Sequence, residues 1–412
     1  GSEIKTVMAV FWITLYTFVN LTAILWLGGL AITTVTGLDV LPAMAGLALF
    51  ALLYSLYGGL KAVALTDIIQ VIVLILGGFA ILYIALNLVG GDAGVIAGLN
   101  TLFSELPSHF EMILDPDHKS YSDLPGIWTL LGGLWVLHFS YWGFNQYIIQ
   151  RALGAENVQE AQKGLVFAAF LKLLIPVIVV IPGIAALWLA QNNALPMNEL
   201  SETPDKTYGY LMTLAPAGLR GIVFAALIAA IVSSLASMIN SIATIFTMDI
   251  YRDHMAPDKD EQHYVMVGRI SAVTAMLIAF IVTKPFLGGM ESAFQTIQEY
   301  TGFIAPGIVA VFLLGFFWKR ANKEGAFALL ISSIVLSIAA KLFLPEMPFV
   351  LRIWIVFLIC MGVGVIVSLM TPAPKADQPV DLGDISFSTR LSFNVSGTMI
   401  ILILAFIYAA FW

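Results

Sequence analysis

The sequence predicts an all-α membrane protein, and three observations carry that reading. Of its 412 residues 60% are hydrophobic and 11% charged, whereas about a quarter of a soluble globular chain is charged. The apolar residues fall in runs of roughly 20, the length a helix needs to cross a ~30 Å hydrocarbon core. Lysine and arginine gather in alternate loops, the bias that orients a chain in a bilayer.

Taken in order, eleven spans are expected, at about 6–33, 41–58, 64–90, 126–150, 164–191, 219–249, 264–287, 300–318, 325–344, 349–370 and 392–412. Several exceed the bilayer thickness, so they tilt or continue beyond it. The segments 91–124, 192–218 and 371–391 carry the Pro, Asp, Glu and Ser of water-exposed loops. A cytoplasmic N-terminus places twelve basic residues inside and six outside, with Lys319, Arg320 and Lys323 clustered inside and Lys172 within a span. Eleven spans then put the C-terminus outside. Cys360 is the single cysteine, so no internal disulfide is possible. The chain has no GKS or GKT phosphate loop, which disfavours an ATP-driven pump. The expected partners are a lipid bilayer and a small solute, not nucleic acid; oligomeric state is not legible.

Ionisable residues inside spans are costly and need a reason. Asp67 lies early in the third span and Lys172 a third of the way into the fifth; snorkelling to the nearby surface is the bland account of both. In the sixth span Ala230, Ser233, Ser234, Ser237, Ser241 and Thr244 form one small, hydroxyl-bearing stripe at helical spacing. Close helix packing explains such a stripe. The adjacent hydroxyls of Ser233 and Ser234 equally suit a hard cation, which takes oxygen ligands. A serine hydroxyl can also bond the carbonyl four residues back and loosen the helix there.

In the fourth span His138, Tyr141, Trp142 and Asn145 recur at i, i+3, i+4 and i+7. Aromatic faces stack on the C–H faces of a sugar ring, and the polar groups meet its hydroxyls. An interfacial aromatic belt is the competing account, and Gly143 offers a place for the helix to break. At the eighth span Gln295, Gln298, Glu299 and Gly302 share a face, with Phe294 before them and Pro306 and Gly307 after. Either an interrupted helix that forms a binding site or an ordinary proline kink fits this run.

The segments LYSLYGGLKAV, TDIIQV, YWGFNQYIIQR, EAQKG, FAAFLKL, AAIVSSLASM, IATIFTMDIY, IQEYTGF and GFFWKRANKEGA, in this order, resemble the sodium:solute symporter family, and within it the sugar-transporting branch. The similarity runs from the first span to the terminal FW. It implies an inverted-repeat (LeuT-like) secondary transporter core in one transmembrane domain over 1–412. Within that domain, 126–318 would be the second inverted repeat and 319–412 additional helices. It also implies that about three family helices normally precede the first span seen here.

By position, the resemblance implies a sodium site at the Ala230 carbonyl and the Ser233 and Ser234 hydroxyls, with Asp67 supplying nearby charge. It implies sugar contacts at His138, Lys172 and Gln298. Tyr141 would be an aromatic inner gate, with Trp142 beside it, and Phe294 an outer hydrophobic gate. Galactose-transporting members carry asparagine where this chain has His138 and tyrosine where it has Ser140, which bears on the preferred sugar and on pH sensitivity. The function expected is sodium-coupled import of a galactose- or glucose-type monosaccharide across a bacterial inner membrane. Inositol or sialic acid is the alternative cargo. A proton-channel subunit would show lysines at mid-span on successive helices, and a sensor would carry a soluble signalling domain; the sequence has neither.

Overall fold

The computed structural model describes residues 2–118, 120–290, 292–374 and 388–412, with side chains at 2 and 59–64 outside the description. Lys119 and Lys375 of the charge count, the Lys61 side chain and most of the expected loop 371–391 therefore lie outside it. The described residues are helical, with no β-strand among them.

Among those residues, ten helices are long and apolar enough to cross a membrane. They are α1 (Glu3–Thr36), α2 (Val40–Gly58), α3 (Leu65–Glu105), α4 (Val158–Gln191), α5 (Ala217–His254), α6 (Glu261–Leu287), α7 (Ala293–Phe317), α8 (Lys323–Phe343), α9 (Phe349–Met370) and α10 (Leu391–Ala410). In α10 none of the most apolar window is buried. Its large side chains, Ile401, Leu402 and Phe406 among them, face outward, as a lipid-facing helix requires.

The fourth expected span, 126–150, is not one helix. Short helices Ile127–Leu131 and Gly133–His138 lead into a π-helical turn, Phe139–Phe144, and a further helix Gln146–Leu153 follows. The chain leaves the helical region at Gly132 (φ −114°, ψ −129°) and again at Asn145, whose backbone is extended (φ −85°, ψ 111°) and whose Oδ1 accepts the Tyr147 N–H. Composition gave this segment the length of a span, but two residues interrupt the helix within it: Gly132, free of a Cβ, and Asn145, with its competing local hydrogen bond. Gly133 lies so close to α9 that an added Cβ would collide with the Val350 carbonyl oxygen, which accounts for glycine there.

The helical run Val40–Gly90 contains 51 residues, about 77 Å if straight. It is not a straight rod. The Tyr54 and Thr66 hydroxyls share a hydrogen bond, yet twelve residues of straight helix separate groups by about 18 Å, beyond the reach of both side chains. Past Gly90 a tight turn at Gly91–Ala93, with Gly91 and Gly94 at φ 53° and 80°, returns the chain so that Gly98 packs on the Leu86 and Gly90 backbone. The span therefore ends at Gly90, where the sequence placed its end.

The chain forms two compact units: Gly1–Phe11 with Glu111–Val166 and Gln298–Trp412, and Trp12–Phe110 with Phe167–Ile297. The core of the first gathers Val136, Leu137, Ala305, Val309, Leu330 and Phe357. That of the second gathers Ile81, Leu102, Leu189, Leu211, Met212 and Val223.

Helix α7 runs unbroken through Pro306, so the interruption considered for that helix reduces to a kink. Its ladder is bridged by another helix. The Gly307 N–H, whose helical partner would be the Phe303 carbonyl, donates instead to Ser333 Oγ of α8 at 3.0 Å, and Ser333 Oγ donates to Phe303 O at 2.9 Å. Ser333 is fully buried. Ser333→Ala leaves an N–H orphaned and a carbonyl short of a partner, at an expected cost of about 1–3 kcal/mol. A lower melting temperature of the purified variant checks this; an unchanged one removes Ser333 from the kink.

Candidate functional site

The candidate residues fall into two groups, one in each unit. In the second unit α5 carries the hydroxyl stripe and packs along the Val40–Gly90 run. Ser233 is buried, while Ala230 and Ser234 are half-buried. The Ser233 hydroxyl donates to Asp67 Oδ1 across 166 positions of sequence. Asp67 is thus held inside a helix–helix contact, which displaces snorkelling as the account of its place in the span. Because Ser233 Oγ gives its proton to the carboxylate, the oxygen's lone pairs remain available to a cation. α5 is regular through this stretch, so the Ala230 carbonyl accepts its helical hydrogen bond and keeps one further lone pair. Further along the same face Ser55 Oγ donates to Asn240 Oδ1 at 2.8 Å, and Ser241 Oγ donates to the Ser237 carbonyl at 3.1 Å. The Ser241 hydroxyl is thus spent within its own helix, whereas the Ser233 end of the stripe faces a carboxylate.

Lys172, also in this unit, is exposed on α4. Pro176 has no N–H for the Lys172 carbonyl, and the helix widens into a π-helical turn at Pro176–Val180. π-Turns recur at Tyr16–Leu21 and Phe246–Tyr251, and such turns are frequent at functional positions. Phe294, at the start of α7, is 62% exposed.

In the first unit His138, Tyr141 and Trp142 are exposed, and the Tyr141 and Trp142 rings meet edge-on at 5.1 Å. The π-turn shifts the register, so Asn145 does not share their face. It is 3% exposed and caps the next helix, a correction to the four-residue face expected from i, i+3, i+4, i+7 spacing. Gln298 is half-buried in α7. The next residue, Glu299, anchors a cluster that the sequence did not reveal. Its carboxylate accepts from Arg352 Nη2 at 2.6 Å and Lys341 Nζ at 3.0 Å, and Lys341 Nζ lies 4.7 Å from the centre of the Tyr300 ring. Three helices are thereby joined beside Gln298. The only sequence signal was an acidic residue near the start of one span and basic residues at the ends of two others.

The start of α7 is held by the loop before α5: the Ala293 N–H donates to Asp205 Oδ2 at 2.8 Å. Burial pushes the Asp205 carboxyl up from its ordinary pKa, and the Ala293 hydrogen bond only partly opposes this. A folded pKa above the unfolded one means that stability rises as pH falls through the folded value. Asp205→Asn keeps an acceptor oxygen without the buried charge. It is expected to melt at or above the wild-type temperature at pH 7, with the difference closing as pH falls. A variant that melts lower across the whole range would show that the charge stabilises.

The sodium:solute symporter family profile matches residues 1–332. Over its whole length the chain is 49% identical to a sodium/glucose cotransporter of Vibrio parahaemolyticus, of which it covers 78%. It is 32% identical over 364 residues to sodium/myo-inositol cotransporter 2 of Oryctolagus cuniculus, an alignment covering 82% of this chain and 52% of that one. This chain thus spans about half the length of the myo-inositol relative. A solved structure of a Na⁺-coupled sialic acid symporter, substrate-bound and outward-open, matches with a TM-score of 0.73 over 90% of this chain and 75% of that one. At 22% identity that likeness shows a shared fold.

Proposed function

Because the chain belongs to the sodium:solute symporter family, a family of sodium-coupled membrane transporters and not of enzymes, we propose that its solute is a galactose- or glucose-type monosaccharide, imported by alternating access. The observation that carries the coupling is the Ser233 hydroxyl held against the Asp67 carboxylate inside a membrane span. An oxygen pair with net negative charge suits a hard monovalent cation, and Ser234 and the Ala230 carbonyl complete the proposed set. The sugar would be met by His138, Tyr141, Trp142, Lys172 and Gln298, with Tyr141 as inner gate and Phe294 as outer gate. The Tyr141 and Trp142 rings, 38% and 44% exposed, support a stacking role, since a solvent-accessible ring can meet C–H groups.

In this reading 126–318 acts as the second inverted repeat, 319–412 adds peripheral helices, and the protein sits in a bacterial inner membrane with its described N-terminal end cytoplasmic. The energetics allow accumulation. One Na⁺ descending about 100 mV yields ~2.3 kcal/mol, and a roughly tenfold gradient adds ~1.4 kcal/mol. Together they sustain a sugar gradient on the order of a few hundredfold.

The test is uptake of labelled galactose into vesicles containing the purified protein, with sodium or choline outside. Sodium-dependent, voltage-sensitive uptake is expected; equal uptake in choline rejects the coupling. The myo-inositol relative and the sialic acid symporter fold support a second reading, in which another polyol or an acid sugar is the cargo. Competition by unlabelled galactose, glucose, inositol and sialate separates the two. Gln298→Ala is expected to raise the half-saturating sugar concentration roughly tenfold, the scale of one lost hydrogen bond to a buried ligand. An unchanged value would place Gln298 outside the sugar site.

A further inference from the structure

The last turns of α5 line a second polar space, away from Asp67 and Ser233. A crevice of about 410 Å³ lies between α2, α5 and α6, and its lining includes Ser55, Asn240, Thr247, Tyr264 and Arg269. Some of its polar groups are already engaged: Tyr264 donates to the Ala256 and Pro257 carbonyls and accepts the Lys259 N–H, and Thr244 Oγ1 donates to the Asn240 carbonyl at 2.8 Å. Two others are not. Thr247 is 4% exposed, and its Oγ1 is buried with no hydrogen-bond partner among the described residues. Asn240 Nδ2 is likewise buried and without a partner, while the same amide's Oδ1 is held by Ser55. Buried polar groups in folded proteins are nearly always paired, so two orphans lining one cavity point to something that fills it.

The donor set defines the chemistry of that filler. An amide NH₂ and a guanidinium only donate, and a hydroxyl can donate. Among the described residues lining the crevice there is no carboxylate. A second guanidinium, that of Arg252, lies beside the lining residue Tyr264, its Cζ 5.7 Å from the centre of the ring. Water alone would satisfy the two neutral groups, while the exposed guanidinium of Arg269 sets a fixed positive charge beside them. A ligand with several anionic oxygens answers all three, and planar guanidinium forks match phosphate oxygens in particular.

We propose that this crevice binds a phosphate group, through Arg269, Asn240 Nδ2 and the Thr247 hydroxyl. The site does not rest on the function proposed above. Its phosphate could belong to an anionic phospholipid headgroup or be free in solution, and the two sources are separable.

Melting temperatures of the purified protein in detergent are measured with added dioleoylphosphatidylglycerol, with dioleoylphosphatidylcholine, and with inorganic phosphate against chloride at equal ionic strength. A rise with phosphatidylglycerol alone identifies the headgroup, and a rise with inorganic phosphate identifies a free oxyanion; either supports the site. Arg269→Ala is expected to weaken the effective probe roughly tenfold or more, the scale of a charge-assisted contact. Thr247→Val supplies the control for folding. Removing an unsatisfied buried hydroxyl with little change of shape is neutral or stabilising, so this variant should melt at or above wild type without the probe yet lose most of the probe-induced rise. No rise with any probe, or a rise of the same size in both variants, overturns the proposal.

Discussion

Glu299→Gln is expected to destabilise the protein by about 3 kcal/mol, the lower end of the range for removing one partner of a buried ion pair. The loss arises mainly at Arg352, whose side chain is 12% exposed and which would keep its charge without a counter-ion. Lys341 is 38% exposed and better solvated, so its pair with Glu299 is discounted. A double-mutant cycle is therefore expected to give a larger coupling for Glu299 with Arg352 than with Lys341. The cluster joins α7, α8 and α9 one residue from Gln298, so the variant should also raise the half-saturating sugar concentration more than the half-saturating sodium concentration. If Glu299→Gln melts with the wild type and transports with unchanged sugar affinity, the cluster is ornamental to both stability and site.

Asp67→Asn tests the other half of the mechanism. The asparagine oxygen can still accept the Ser233 hydroxyl, so the helix contact survives while the charge is lost. At an effective dielectric constant near 20, a unit charge about 4 Å from a monovalent cation is worth about 4 kcal/mol. Allowing for partial solvation, the half-saturating sodium concentration is expected to rise by on the order of a hundredfold, about 2.7 kcal/mol. Ser233→Ala offers the complementary loss of an oxygen ligand with the carboxylate retained. Sodium activation curves of uptake, at saturating and at low sugar, read both. If Asp67→Asn shifts sugar affinity and leaves sodium activation untouched, the charge does not serve the cation.

Where the sequence reading failed, it failed locally and for definable reasons. The segment 126–150 has the apolar content of a span, and content does not register that Asn145 can cap Tyr147 and so end one helix and start another. Helical spacing put Asn145 on the face of Tyr141 and Trp142, but a π-turn advances the chain by more than 3.6 residues per turn and rotates it away. The kink of α7 was legible from Pro306. Its repair at Gly307 by Ser333, 26 residues further on, was not. Asn240 lay on the hydroxyl stripe of α5 at regular spacing from Ser233, and could have been read with it.

The sequence alone determined that this chain lives in a bilayer, nearly where each long helix outside 126–150 begins and ends, and which spans carry polar residues at a cost. Those properties follow from transfer of side chains out of water and from the period of one helix, both of which are written along the chain. Only tertiary structure decided what the polar residues do. Ser233 reaches Asp67, and Glu299 reaches Arg352 53 positions away, because a buried polar group must find its partner in space. Which partner it finds is set by how the helices pack.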